Sequence, residues 1–347
     1  MRGGYRGRTN GGQTEPGGSG VLLVNLGTPC APTSRAVRRY LAEFLSDPRV
    51  LELPGWLRAT LLHGWVLRTR PRKTAAAYRE VWSEAGSPLL VESRALEQAL
   101  RSSLSTRAAA PVPVRLAMRY GEPPIEAALE ELLQAGAERL LVLPLYPQYS
   151  GATTGSAFDA VTSVLQRMRW IPEVRFVNHY HAESRYIAAL TDSIVRHRDE
   201  SGKTERLLFS FHGMPKATVA AGDPYFHQCR ETARLVAEKL ELPPGDWGMA
   251  FQSRFGRAEW LQPATDATLR QWAQAGVESV GVVCPGFAVD CLETLQEVNI
   301  RYRELWRECG GKRFEYVPAL NDTEGHVGAL TVIAARGMCG WPEDLLG

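Results

Sequence analysis

Short apolar runs recur along the chain, each closed by glycine, proline or a polar pair and each followed by a stretch of helical periodicity. They are VLLVNLG from Val21, VRLAMRYG from Val114, RLLVLPLYP from Arg139 and VRFVNHYH from Val174. Four more follow: RLLFSFHG from Arg206, WGMAFQSRFG from Trp247, ESVGVVCPG from Glu278 and FEYVPALN from Phe314. Segments between them, such as 124–136, 223–241 and 259–276, place apolar residues at i, i+3, i+4 and i+7, as an amphipathic helix requires. Alternating buried strand and amphipathic helix predicts parallel sheets covered on both faces and joined by right-handed crossovers. The expected fold is therefore α/β, with two doubly wound halves over 21–172 and 173–330, each holding four strands, and a cleft between their facing rims. The stretch 323–337 reads as a closing helix, with its end and a tail over 331–347 packing back on the first half.

Composition narrows the choice. At 347 residues and 44% hydrophobic content the chain is long enough for two cores. Forty basic against 38 acidic residues leave a net charge of +2, which is no field for a nucleic-acid partner. Six scattered cysteines without a C-x-x-C pair argue against a disulfide framework or a zinc knuckle and fit a reducing cytoplasm. Residues 1–20 mix arginine and glycine without an apolar stretch, so a disordered tail is expected there rather than a signal peptide. Two nucleotide motifs are excluded: the glycines at 17–20 precede their strand instead of following it, and SGKT at 201–204 lacks the upstream glycine of a phosphate loop, since position 197 is histidine.

In such sheets ligands bind outside the carboxyl ends of the strands, and the chemically capable residues gather there. His212 closes the run FSF, which anchors an imidazole able to exchange a proton near neutral pH. Downstream, DCLETLQEVN from Asp290 places Asp290, Glu293 and Glu297 on one face of an expected helix. Acids in a first helical turn are also favoured by the macrodipole alone. A divalent ion or a passing proton would relieve their mutual repulsion, and an imidazole with oxygen ligands suits Fe(II) held loosely enough to be given up. A third segment, 44–73, is rich in Leu and Trp yet broken by Arg49, Arg58 and Arg68. It is too interrupted to span a bilayer, which takes about 20 apolar residues. It reads equally as a buried helical hairpin or as an interfacial lip carrying Trp56 and Trp65 with a basic end at Arg68, Arg70, Arg72 and Lys73.

At these residues the chain resembles the ferrochelatases, through LLVNLGTP, FLSDPRV, AMRYGEPPI, PLYPQYSGATTGS, SFHGMP, FQSRFG, PGFAVDCLETLQE and YVPALND, in the family's order over 21–325. The resemblance implies two Rossmann-like halves around a porphyrin cleft and insertion of Fe(II) into protoporphyrin IX as the last step of heme formation. It implies catalytic roles for His212 and Glu293, with Asp290 and Glu297 completing a proton or metal path. Tyr78, Arg119, Tyr146, Gln252, Ser253 and Trp260 match positions lining the porphyrin or the metal path. Iron and porphyrin are expected as substrates, with no tightly bound cofactor. Animal relatives bind a [2Fe-2S] cluster through a cysteine after Y-P-Q-Y-S and three in a tail; here those places offer Gly151 and Cys339 alone, so no cluster is expected. Many relatives carry histidine where this chain has Cys291, and any role of that histidine does not transfer. The location implied is cytoplasmic, with peripheral membrane contact through 44–73. The competing expectations are a coproporphyrin chelatase and a non-catalytic tetrapyrrole or metal carrier.

Overall fold

The structure is a computed structural model that describes residues 18–108, 111–256 and 258–341. All eight apolar runs are strands: β1 (Gly18–Thr28), β2 (Val114–Gly121), β3 (Ala137–Pro144), β4 (Glu173–Phe176), β5 (Arg206–His212), β6 (Trp247–Gln252), β7 (Ser279–Val283) and β8 (Arg313–Val317). They form two four-stranded sheets of the same order, β2-β1-β3-β4 and β6-β5-β7-β8, and every pairing is parallel. In each sheet the chain winds one way from its first strand and the other way from its third. The crevice at that reversal, beyond the carboxyl ends of β1 and β3 or of β5 and β7, is where such sheets take ligands.

Two expected boundaries move. Arg139, Leu140, Leu141 and Val142 of β3 pair with Glu173 through Phe176 of β4, so the first half runs past 172. Backbone pairing with β3 begins at Gly18, which takes the last three residues assigned to the tail into a strand. Residues 1–17 and 342–347 of the expected tails lie outside the described residues.

Side-chain alternation along each strand divides the apolar residues into layers. Leu22 and Val24 of β1 join Leu129, Leu140 and Val161 in an outer layer of the first half. Leu208 of β5 joins Leu269, Val280 and Trp306 in an outer layer of the second. The other strand face of both sheets belongs to one shared cluster, with Val21, Leu23 and Leu141 from the first and Leu207, Phe209 and Val283 from the second. Helices Pro88–Ser105, Ser184–Ser201, Tyr225–Lys239 and Glu324–Gly337 fill the space between through Leu100, Tyr186, Val236 and Leu330. Each such fully buried aliphatic or aromatic side chain contributes about 1.5–3 kcal/mol. The closing helix also reaches the first half, where Thr331 Oγ1 donates to Ser103 Oγ at 2.9 Å. Where β1 ends, Gly27 holds a φ of +111°, and a Cβ there would stand 1.7 Å from the Tyr120 carbonyl oxygen; only glycine fits.

His326 sits fully buried in the closing helix, its Nδ1 donating to the Asn321 carbonyl at 2.6 Å. Burial lowers its pKa to about 4. Because the folded value lies below the unfolded one, near 6.5, the stability it allows is present above 6.5 and is lost as pH falls toward 4. Between pH 7 and pH 5 this one group should remove about 2 kcal/mol. Denaturant melts at the two pH values, compared with those of His326→Gln, should show a smaller acid penalty in the variant.

Candidate active site at the strand ends of the second sheet

His212 is the last residue of β5, and its backbone pairs with Gln252, the last of β6. Its Nδ1 lies 2.7 Å from the Gly213 carbonyl oxygen. A carbonyl can only accept, so in the neutral ring the proton sits on Nδ1 and Nε2 carries the lone pair. The half-buried ring faces Phe287 at 6.5 Å, and Tyr225 donates its hydroxyl to the His212 carbonyl at 3.0 Å. Gly213 follows because the chain passes close to β6: a Cβ at 213 would stand 2.6 Å from the Gln252 carbonyl oxygen and 3.2 Å from the Trp260 ring. Trp260 is buried there, its indole N–H donating to the Phe255 carbonyl at 3.0 Å.

Gln252 ties the histidine strand to the acidic segment. Its Oε1 accepts from Ser210 Oγ at 2.7 Å, and its Nε2 donates to the Glu293 carbonyl at 3.2 Å. The next residue, Ser253, has a φ of +63°, a left-handed conformation that costs a non-glycine residue of order 1 kcal/mol. In that conformation both its N–H and its Oγ reach the Glu297 carboxylate, the N–H at 3.1 Å, and Tyr302 donates to the same carboxylate at 3.0 Å.

The acidic segment is not the α-helix its spacing predicts. Residues Glu293–Tyr302 form a π-helix, a wide turn often found at functional sites. Asp290 lies before it and leaves the row. Its Oδ1 accepts from Thr294 Oγ1 at 2.8 Å and from the Tyr316 hydroxyl at 2.5 Å, and its Oδ2 from Asn321 Nδ2 at 3.0 Å. The expectation of three acids on one face is corrected accordingly: the residue before the helix is drawn to buried donors on and after β8, while Glu293 and Glu297 remain. Among the described residues no group of three or more His, Cys, Asp or Glu side chains gathers closely enough to hold a metal ion.

The first half meets the acidic segment through helix Leu67–Val81. Tyr78, from helix Leu67–Val81, is buried against Val37 and Ala75, with Leu292 of the second half packed on the same group. Burial first, and then the Glu293 carboxylate, hold the Tyr78 phenol above its ordinary value. The same two causes, with Tyr78 between them, raise Tyr40. Tyr40, Tyr78 and Glu293 thus share one region. Tyr146 is half-buried, its hydroxyl oxygen buried and unpartnered among the described residues; burial pushes its pKa up. Arg119 is engaged: it pairs with Asp47 at 2.5 Å and donates to Ser156 Oγ at 2.7 Å. Burial alone would raise Asp47, but hydrogen bonds from Ser156, the Arg49 N–H and Tyr120, with the Arg119 charge, bring it below its ordinary value.

Tyr40 and Glu92 were not legible as site neighbours in the sequence, and Phe287, though visible at a strand end, received no role there. Burial and the charges of Asp290 and Asp322 raise Glu92, which places this acid of the first half beside the second. Tyr40 belongs to the apolar face of its helix and nothing local sets it apart. Phe287 carried a usable signal, lying in PGF just beyond a strand's carboxyl end.

Two parallel sheets of repeated order, with an imidazole and carboxylates at their strand ends, have the fold of a metal chelatase. SirB from Bacillus subtilis with Fe3+, a sirohydrochlorin chelatase, matches with a TM-score of 0.54 over 92% of this chain and 96% of that one, at 11% identity, a likeness of fold alone. The sequence pattern of the ferrochelatase family matches residues 18–338. The chain is 56% identical over 328 residues to the ferrochelatase of Nitrosococcus oceani, covering 94% of this chain and 89% of that one. It is 51% identical over 324 residues to that of Thioalkalivibrio sulfidiphilus, covering 93% and 88%. The chain therefore belongs to the ferrochelatase family and is a lyase of the metal-chelatase kind.

The surroundings of the two acids separate their roles. Asp290→Asn replaces an acceptor oxygen with an amine facing buried donors, so thermal unfolding should show a loss of about 1–3 kcal/mol. Glu293→Gln, at a half-buried site, should shift stability by less than about 0.5 kcal/mol.

Proposed function

We propose that the protein inserts Fe(II) into protoporphyrin IX to give protoheme, the closing step of heme formation. The observation that carries this is the His212 tautomer: Nδ1 is committed to the Gly213 carbonyl, which leaves Nε2 as a base at the strand end. Gln252 couples that strand to Glu293. Insertion requires two pyrrole protons to leave a planar ring while a hydrated ion sheds its waters. In this reading His212 accepts a pyrrole proton, and Glu293 with Glu297 passes protons outward or hands over iron. Asp290 supports the start of the acidic helix through its hydrogen bonds. Tyr78, Tyr146, Gln252, Ser253 and Trp260 line the ring's path, with Arg119 behind them in its pair with Asp47. Binding the ring bent, at the expense of contacts remote from its nitrogens, would expose the lone pairs that receive the metal. Iron and porphyrin are substrates, and the reaction as proposed draws on no resident cofactor.

The porphyrin reaches the enzyme from a membrane in this reading. None of the described helices is long and apolar enough to cross one. Support for peripheral contact comes from Trp56 and Trp65, which are 73% and 57% exposed on the segment expected to form the lip.

In an anaerobic Fe(II) assay, His212→Ala should lose 100-fold or more in turnover, on the order expected for a missing general base, while still quenching bound-porphyrin fluorescence. Glu293→Gln should also lose turnover with the fold intact. Parent-like rates in His212→Ala would remove the base from the mechanism. Faster turnover of coproporphyrin than of protoporphyrin IX would reassign the substrate, and stoichiometric binding without turnover would make the chain a carrier.

A further inference from the structure

Beside the exposed tryptophans lies a cleft of about 620 Å³ lined by Arg35, Arg38, Arg39, His63, Leu67 and Arg68. Three of the arginines come from helix Ser34–Ser46, with Arg38 and Arg39 one turn beyond Arg35. His63 and Arg68 come from the wide turn Leu62–Val66 and the start of the helix after it. All four guanidinium groups are exposed, and among the described residues no carboxylate pairs with any of them. Elsewhere the chain does pair its arginines, as with Arg49 on Asp159 and Arg254 on Asp266. Four like charges around one hollow repel, and an anion seated among them would relieve that repulsion through charge-assisted hydrogen bonds.

The apolar ridge identifies the anion. Trp56, Leu57, Leu61 and Trp65 are exposed large side chains on the continuous stretch 55–66 that also supplies His63 to the cleft. Tryptophan with a flanking basic cluster is the composition of a segment lying in the headgroup region of a bilayer. We propose that this arginine cleft is a binding site for the headgroup phosphate of an anionic phospholipid, seated when the Trp56 and Trp65 ridge enters the membrane. The proposal rests on the membrane reading of 44–73. It adds to that reading a lipid preference and a fixed docking orientation, with the helix Ser34–Ser46 turned to the bilayer.

Sedimentation of the full chain with phosphatidylcholine vesicles, and with vesicles also containing phosphatidylglycerol, tests it. The parent should favour the anionic vesicles, and the double change Arg38→Gln with Arg39→Gln should weaken that binding about 25-fold, about fivefold per charge. The same charge change at Arg72→Gln with Lys73→Gln, outside the cleft, should weaken it far less. Metal insertion with detergent-dispersed porphyrin should be unchanged in the Arg38 and Arg39 variant, which shows that it folds. Equal losses from the two double variants would overturn the cleft in favour of diffuse surface charge. So would calorimetric binding of inorganic phosphate in the cleft accompanied by equal sedimentation with both vesicle types. If Trp56→Ser with Trp65→Ser abolishes sedimentation while the arginine variant keeps it, the membrane reading stands and the headgroup site falls. A parent that sediments with neither vesicle overturns both.

Discussion

The apolar layer shared by the two sheets is the constraint on which the site depends. A metal-inserting cleft needs two walls at a fixed separation, and two halves joined only by a linker would rock. Here Leu23 and Leu141 of one sheet and Phe209 and Val283 of the other belong to a single cluster with four intervening helices. Close-packed interiors of this kind deform little. The ends of β5 and β6, carrying His212 and Gln252, are thereby fixed relative to the helix that carries Tyr78. Polar contacts pin the rim as well, with the Tyr149 N–H donating to Gln228 at 2.7 Å and the Gly151 N–H to Asp223 at 2.7 Å.

Within that frame, polar groups divide into those that are satisfied and those left available. Asp290, Glu297 and Arg119 are each bound to several partners. His212 has one ring nitrogen occupied and one free, and the Tyr146 hydroxyl has no partner among the described residues. The division also explains why equally acidic neighbours can serve different ends: surroundings, more than residue type, decide what a carboxylate does.

Much of this was legible in the chain. Eight strands, their grouping in fours and the prominence of His212 follow from short apolar runs alternating with amphipathic helices and from the rule that sheets bind at their carboxyl ends. What escaped was set by contacts between distant segments. Asp290 reads like its neighbours until Tyr316 and Asn321 come to meet it from beyond the next strand. The boundary at 172 was drawn ahead of the fourth run, whose pairing with β3 keeps it in the first sheet. Tyr40 lies on an ordinary apolar helical face, and only the arrival of other phenols and of Glu293 from distant parts of the chain gives it these neighbours. The wide turn at Glu293 was hidden too, since a spacing of four suits either kind of helix.

That wide turn makes segment length a heritable constraint in its own right. Hydrogen bonds of the i→i+5 kind close a loop of more than four residues, so Glu297 has not quite come round to the meridian of Glu293, whereas in ordinary helix it would have passed it. Removing any one residue between them would let the backbone relax to the common pitch. Everything downstream, Tyr302 included, would then be displaced along and about the axis, because the residue count and the angle per residue change together. Substitutions along this stretch can be absorbed one at a time, but a single-codon deletion would rotate the whole downstream face out of alignment.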